Sequence, residues 1–414
     1  MSRKRDKLKR VLYEEVRYEV GRWPLWRWDQ NLRYIAKSFA HRPAPLSAQD
    51  GVHHRAMARY LGQTLRWPES AADGWSCAAV GDLMWLRDGY RRFLSEDLQA
   101  GFAKQDMIFA NLETPVDPSV PVKRWVYETL HYNAPTQYLD AWDCAGGATR
   151  VFSLCNNHAL DQGLVGLKAT RAQVEQRAGF LAVGGAERGE AVRTFEHRGL
   201  KVAVIATTFG INGAPPAAVP DGVPVVAFGD PRAETDWEML GALVAQARAE
   251  DPDWVVMMPH WGFEYEYWPD KAMRADAYRL IEMGVDIIVG SSPHVLQPVE
   301  VISVDGWDAS SPVQLRRQSG RPRPGVIAYS LGNFASIIPT VACQTGGVLR
   351  MSLDRQTVTA LSFEPTVCMR GLGQGWLDAR VLTLDEYRRR PLKGRPWQLY
   401  ADHARTIMGP LMGP

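Results

Sequence analysis

Residues 150–161 read Arg-Val-Phe-Ser-Leu-Cys-Asn-Asn-His-Ala-Leu-Asp, a short apolar run that breaks into a tight polar cluster. Arg150 to Leu154 has the length and composition of a buried strand. Asn156, Asn157, His158 and Asp161 therefore fall on the loop just past its end, where α/β-type folds collect their chemistry. The pattern recurs on both sides. Upstream, Gly81-Asp82-Leu83-Met84 follows the apolar run Cys77 to Val80, and Asn111-Leu112-Glu113 follows Met107 to Ala110. Downstream, His260-Trp261-Gly262-Phe263-Glu264 follows Trp254 to Met258, and Gly290-Ser291-Ser292-Pro293-His294 follows Asp286 to Val289.

Taken singly, each cluster is weak: Gly-Asp is a common turn, and a histidine beside an apolar strand is more often a satisfied core residue. Their order is acid, acid, Asn-His, His, His, and that order points to a two-metal hydrolase site. Ions about 3.5–4 Å apart need a bridging carboxylate, an amide and imidazoles drawn from several strand ends, because no single helix presents such a set.

Further strands are expected at Gly179 to Val183, Lys201 to Thr207, Val299 to Val304, Gly325 to Ser330, Val348 to Leu353 and Val358 to Glu364. Helical periodicity marks Gly163 to Glu175, Glu234 to Ala249 and Lys271 to Met283. Strands alternate with helices early and follow one another late, which predicts two mixed sheets face to face with helices outside.

Before Ser76 the texture differs. Leu8, Leu12, Val16 and Val20 recur at helical spacing and Gly21 stops the pattern, so an amphipathic helix is expected there. Trp23, Trp26 and Trp28 follow as an aromatic cluster, then a connecting segment with one helix around Arg55 to Leu65. The expected organisation is a basic, Trp-rich helical extension over 1–75, a main domain over 76–370 and a C-terminal extension over 371–414 packed upon it. The N-terminal helix and tryptophans are the expected lid or interface, facing a second copy of the chain or a biosynthetic partner enzyme.

With 414 residues, 46% of them apolar, and a net charge of +2, the chain belongs to the soluble globular class. The charge balance gives no case for nucleic acid. The five cysteines are scattered without a Cys-x-x-Cys pair, which argues against a disulfide framework or a zinc knuckle and for reduced thiols. No apolar run is long enough for an integral membrane segment, and the basic start lacks an apolar signal core, so a cytoplasmic location is expected. The loops Arg316 to Arg323 and Arg388 to Arg395 read as solvated surface, the first also as a guide for an anionic substrate.

The stretch from Gly81 to Phe334 resembles the CapA family, the capsule and poly-γ-glutamate biosynthesis proteins of the metallo-dependent phosphatase superfamily. The resemblance rests on Gly-Asp-Leu-Met at 81–84, Asn-Leu-Glu at 111–113, Asn-Asn-His-Ala-Leu-Asp-Gln-Gly at 156–163 and His-Trp-Gly-Phe-Glu-Tyr at 260–265. Gly-Ser-Ser-Pro-His-Val-Leu-Gln-Pro at 290–298 and Tyr-Ser-Leu-Gly-Asn-Phe at 329–334 complete it. It implies an α+β fold, a four-layer α-β-β-α sandwich with a metal site at one edge, preceded here by the N-terminal helical extension.

Carried over by residue, the resemblance assigns Asp82 and His294 to one divalent ion, Glu113 as the bridge, and Asn157 and His260 to a second. The ions implied are manganese, zinc or iron, one or two per chain. His158 takes the place of the histidine that stabilises charge or protonates a leaving group, Asp161 orients that imidazole or its loop, and Glu264 either supports the ligands from outside or contacts the substrate. Asn156, Trp261 and Asn333 are the expected substrate contacts. The implied reaction is attack by a metal-bound hydroxide on a phosphoester or on a glutamyl or peptide amide, so the expected substrate is an anionic small molecule, peptide or polyglutamate-like chain.

Two residues depart from the pattern. Met84 stands where the wider superfamily has a ligating histidine, and a thioether is a poor ligand for hard ions. Ser292 stands where the family commonly opens His-Pro-His, so one imidazole is replaced by a weakly ligating hydroxyl. The alternative function is therefore a non-hydrolytic accessory or scaffold protein of poly-γ-glutamate-like polymer or peptide biosynthesis, with a degraded metal site.

Overall fold

The apolar runs on either side of the polar clusters form the strands of two sheets. The computed structural model describes residues 46–64, 74–122, 131–212, 218–229, 234–370, 379–389 and 395–412. The expected helix near Leu8 to Val20 and the cluster Trp23, Trp26 and Trp28 lie outside these residues.

The strands in chain order are β1 (Trp75–Leu83), β2 (Met107–Asn111), β3 (Thr149–Ser153), β4 (Phe180–Val183), β5 (Val192–His197), β6 (Leu200–Thr208), β7 (Trp254–His260), β8 (Ile287–Val289) and β9 (Leu296–Val304). There follow β10 (Gln314–Leu315), β11 (Gly325–Leu331), β12 (Asn333–Ala335), β13 (Thr345–Leu353), β14 (Val358–Arg370) and β15 (Ala379–Thr383). The described helices of twelve residues or more are α1 (Ala48–Thr64), α2 (Gly163–Glu175), α3 (Trp237–Ala249), α4 (Lys271–Met283) and α5 (Trp397–Met408).

One sheet runs β15-β14-β13-β1-β2-β3-β4, with β12 also paired to β1; the other runs β10-β9-β11-β8-β7-β6-β5. In the first, β1 to β4 are parallel and β13 turns antiparallel to β1. In the second, β6, β7, β8 and β11 are parallel and β9 is antiparallel. The sheets meet where β11 contacts β1 and β13. Helix α2 lies against β4 and α3 against β5 and β6, so helices cover the sheets in an α-β-β-α order. This is the expected sandwich.

Continuous apolar runs gave the buried parallel strands: every residue of β2, β7 and β8 is buried. Helix α4 shows why its ends were legible. The Asp270 side chain accepts from the Met273 amide, Gly284 ends the helix at φ 121, and Met273, Ala277, Leu280 and Ile281 form its buried stripe. Helix α3 starts at Trp237, three residues later than the spacing predicts, because Asp236 caps it. Helix α1 reaches back to Ala48 from the expected Arg55.

The arginine loop at 316–323 turns two of its side chains inward. Its Arg317 and Arg323 are buried around Asp286, which precedes β8, whereas the Gly290 to His294 cluster follows β8. The two features therefore sit at opposite edges of the sheet. Asp286 is fully buried, takes Arg248 Nη2 at 2.8 Å and Arg317 Nη1 at 2.6 Å, and lies 3.9 Å from Arg323 Nε. Asp286→Asn leaves these guanidiniums without their counter-charge, and a loss of about 3–5 kcal/mol is expected from the shift of the urea-unfolding midpoint.

Candidate metal centre

Parallel strands from both sheets bring their carboxyl ends to one place. Asp82 is the last residue but one of β1, Asn111 ends β2, Asn156 to His158 follow β3, His260 ends β7, and Ser291 to His294 follow β8. Asn333 arrives from β12, which pairs with β1 at Asp82. Such closeness needs Gly81, since a Cβ there would lie 1.8 Å from the Gly332 carbonyl oxygen. Gly332 itself takes φ 68, and its oxygen accepts the Asp82 amide at 3.0 Å.

Asp82, Glu113 and His260 offer ligand atoms that all lie within 4.8 Å of one another, and all three side chains are buried. Glu113 Oε1 is 3.8 Å from His260 Nε2 and 3.8 Å from His294 Nε2. That separation is too long for a hydrogen bond, but two donors each about 2.1 Å from one ion can stand up to about 4.2 Å apart. Glu113 Oε1, His260 Nε2 and Asn157 Oδ1 are buried and have no hydrogen-bond partner among the described residues. A carboxylate, an imidazole and an amide oxygen left in this state fit a divalent cation, because unpaired buried polar atoms otherwise cost about 1–3 kcal/mol each.

The charges are set against each other. Burial pushes the Asp82 carboxyl up, but the bonded and charged His294, His260 and the Asn111 amide outweigh it and hold Asp82 below the usual range. Burial, then the charges of Asp82 and Glu264, raise Glu113 well above the usual range. Burial lowers His260 to about 3, so that imidazole is neutral and able to donate a lone pair. Burial also disfavours a charged His294, yet Asp82, Glu264 and Asn333 overcome it and raise the group.

The residues around the donors hold them. Asn111, which the sequence reading passed over although it opens the Asn-Leu-Glu cluster, sits at the centre: its Nδ2 lies 2.9 Å from Asp82 Oδ1, 3.4 Å from Glu113 Oε2 and 3.2 Å from His260 Nδ1. The loop after β8 is strained for the same end. Ser292 has φ 97 and His294 φ 60, conformations that cost an L-residue about 1–2 kcal/mol each. They turn the Ser292 amide to Asp82 Oδ2 at 3.3 Å and His294 Nδ1 to Asn333 Oδ1 at 3.0 Å. Ser292, expected to ligate weakly through its hydroxyl, thus serves Asp82 through its backbone.

His158 lies beside these donors on the Asn157 loop. Its Nδ1 is 2.7 Å from Asp161 Oδ2, its Nε2 is 3.4 Å from Asn212 Nδ2, and Tyr132 stacks on its ring at 4.0 Å. Tyr132 and Asn212 were missed, having no pattern near the clusters to mark them. Glu264 is buried and near enough for its charge to act on Glu113 and His294.

The three expected substrate contacts are otherwise engaged. Trp261 is 0% exposed, donates its indole N–H to the Tyr329 carbonyl at 2.9 Å and has Phe228 across its face. Its ring has no surface to offer a ligand. Asn156 donates to the Leu112 carbonyl and accepts the His158 amide, and Asn333 is spent on His294 and the Cys343 carbonyl. These amides position the loop and the imidazole instead.

The family model described as bacterial capsule synthesis protein PGA_cap matches residues 76–337, and the chain belongs to that family. Among curated proteins it is 30% identical over 185 residues to the PGA biosynthesis protein CapA of Bacillus subtilis, covering 44% of this chain and 42% of that one. It is 32% identical over 158 residues to a "Probable polyglutamine synthesis accessory protein" of Mycobacterium tuberculosis, covering 36% of this chain and 41% of that one. The matched stretch spans less than half the length of these relatives. A solved structure of a novel phosphatase from Mycoplasma pneumoniae superposes with a TM-score of 0.41 at 13% identity, covering 71% of this chain and 94% of that one. No helix among the described residues is long and apolar enough to cross a membrane.

Proposed function

We propose that this chain is a metal-dependent hydrolase acting on a phosphoester or on a glutamyl or peptide amide. The observation that carries the reading is the buried donor atoms of Glu113 and His260, without a hydrogen-bond partner among the described residues, beside Asp82 and His294, with the Asn157 amide oxygen in the same state on the loop after β3. Asp82, Glu113, Asn157, His260 and His294 hold one or two divalent cations. Manganese, zinc and iron(II) all suit a mixed carboxylate, amide and imidazole set. Bound there, such an ion supplies Lewis acidity and lowers the pKa of water in its shell.

The protein's own groups do the rest. Asp161 accepts from His158 Nδ1 and orients the ring, so that in its doubly protonated form Nε2–H gives its proton to the leaving group and Nδ1–H stays on Asp161. Tyr132 and Asn212 hold the ring in that orientation. An anionic substrate suits the excess positive charge that the ions bring.

A second reading, an accessory role in polyglutamate-type polymer assembly without turnover, is favoured by Ser292, whose hydroxyl replaces an imidazole. Metal content by elemental analysis, with turnover of p-nitrophenyl phosphate and γ-glutamyl p-nitroanilide, separates the two. Ser292→His keeps the backbone amide on Asp82 and adds an imidazole. It is expected to tighten metal binding by about tenfold or more and to raise turnover, despite the strain of its positive φ. Metal without turnover in both proteins would leave the accessory role, and no metal in either would sink the hydrolase.

A further inference from the structure

A second group of ligating side chains lies on the outer face of the other sheet, under helix α1. His53, His54 and Glu300 offer ligand atoms within 4.8 Å of one another. Glu300, on β9, is fully buried, and its Oε2 accepts the hydroxyls of Tyr278 at 2.8 Å and Tyr329 at 3.2 Å. Those two bonds leave Oε1 aimed at His53 Nε2, 2.7 Å away. His54 is nine-tenths buried with its ring 4.7 Å from that of Trp268, and its Nε2 has no hydrogen-bond partner among the described residues.

An ordinary helix-docking ion pair accounts for His53 and Glu300 but not for His54. A buried imidazole nitrogen without a partner beside a pinned carboxylate is costly unless something binds it. The nearby cation does not fill that place, since Arg274 is engaged by Asp50 and by the Pro269 carbonyl at 3.1 Å. Two imidazoles and one carboxylate are a donor set suited to zinc, with a fourth position for water. The tyrosine hydroxyls are the kind of outer support that fixes a ligating carboxylate.

We propose that His53, His54 and Glu300 form a second, zinc-binding site that clamps helix α1 onto the sheet. Zinc enters with a small opening of the His53 to Glu300 contact and ligates His54 Nε2. The site shares no donor with the centre at Asp82.

The test removes the first centre from view. The full chain carrying Asp82→Ala with His260→Ala is stripped with chelator, loaded with zinc and desalted before elemental analysis. About one zinc per chain is expected to remain, and adding His54→Phe, which keeps a ring against Trp268, is expected to remove it together with the zinc-dependent rise in melting temperature. Cobalt(II) in place of zinc is expected to give tetrahedral absorption bands in the first protein only. A folded first-centre variant that holds no zinc, or a zinc count unchanged by His54→Phe, would overturn the proposal. If the first-centre variant does not fold, the unaltered chain is compared with its His54→Phe and His53→Asn forms: one equivalent fewer supports the site and equal counts refute it.

Discussion

Glu113→Gln is expected to give a chain that folds more stably without metal and no longer holds it tightly. The two effects have one cause. Glu113 is fully buried among like charges, and burial together with Asp82 and Glu264 raises its carboxyl well above the usual range. Because its folded-state pKa is raised, the stability linked to this group is complete below about pH 4.5 and is lost as pH climbs towards the raised value. Glutamine keeps the contact to the Asn111 amide without the charge. The metal-free variant is therefore expected to gain about 1–3 kcal/mol near neutral pH and to lose that part of the pH slope. The negative charge proposed to hold an ion goes with it. Urea unfolding in chelator at several pH values, with elemental analysis of the loaded protein, reads both effects. A variant that keeps its metal would show that Glu113 does not hold the ion, and one that unfolds with the unaltered chain's pH slope would show that this carboxyl is not the raised group.

This opposition explains which parts of the molecule could be read in the sequence. Strand ends were legible because the chain must pass from continuous burial to a polar loop within a residue or two, as at Val289 to Gly290 and Ser153 to Asn156. Residues that carry charge announce themselves by type, so Asp82, Glu113, His260 and His294 were found together. Amides do not announce themselves. Asn111, Asn156 and Asn333 stand in the same clusters, yet their partners come from other strands, and only the fold shows whether an amide holds a neighbour or faces a ligand. Trp261 misled for the same reason, since an aromatic next to a ligand reads alike whether it lines a pocket or, as here, is enclosed against Tyr329. Strand β5 was missed because it is an edge strand with little full burial, although Arg198 and Gly199, both at positive φ, make the two-residue turn that joins it to β6. Distance in sequence hid the second histidine group altogether. His53 and Glu300 are 247 residues apart, and neither lies in a polar cluster.

His158→Gln is the substitution that bears most directly on whether this centre turns anything over. His158 contributes no atom to the donor set around Glu113, so metal content is expected to stay as it was. What changes is proton delivery. A leaving group such as p-nitrophenolate departs without help, whereas an alkoxide or an amide nitrogen must be protonated as it leaves. The variant is therefore expected to lose less than about tenfold in kcat on p-nitrophenyl phosphate but about 10²–10⁴-fold on an alkyl phosphate or γ-glutamyl amide. Asp161→Asn is expected to follow the same split with a smaller loss, because Asp161 acts on the reaction through His158, whose Nδ1 it holds at 2.7 Å while also accepting the Tyr132 amide at 2.6 Å. A merely structural role for His158 would lower both classes of substrate alike. Equal losses on good and poor leaving groups would remove His158 from proton transfer, and the absence of any rate to lose, in a chain loaded with metal, would favour the accessory protein over the hydrolase.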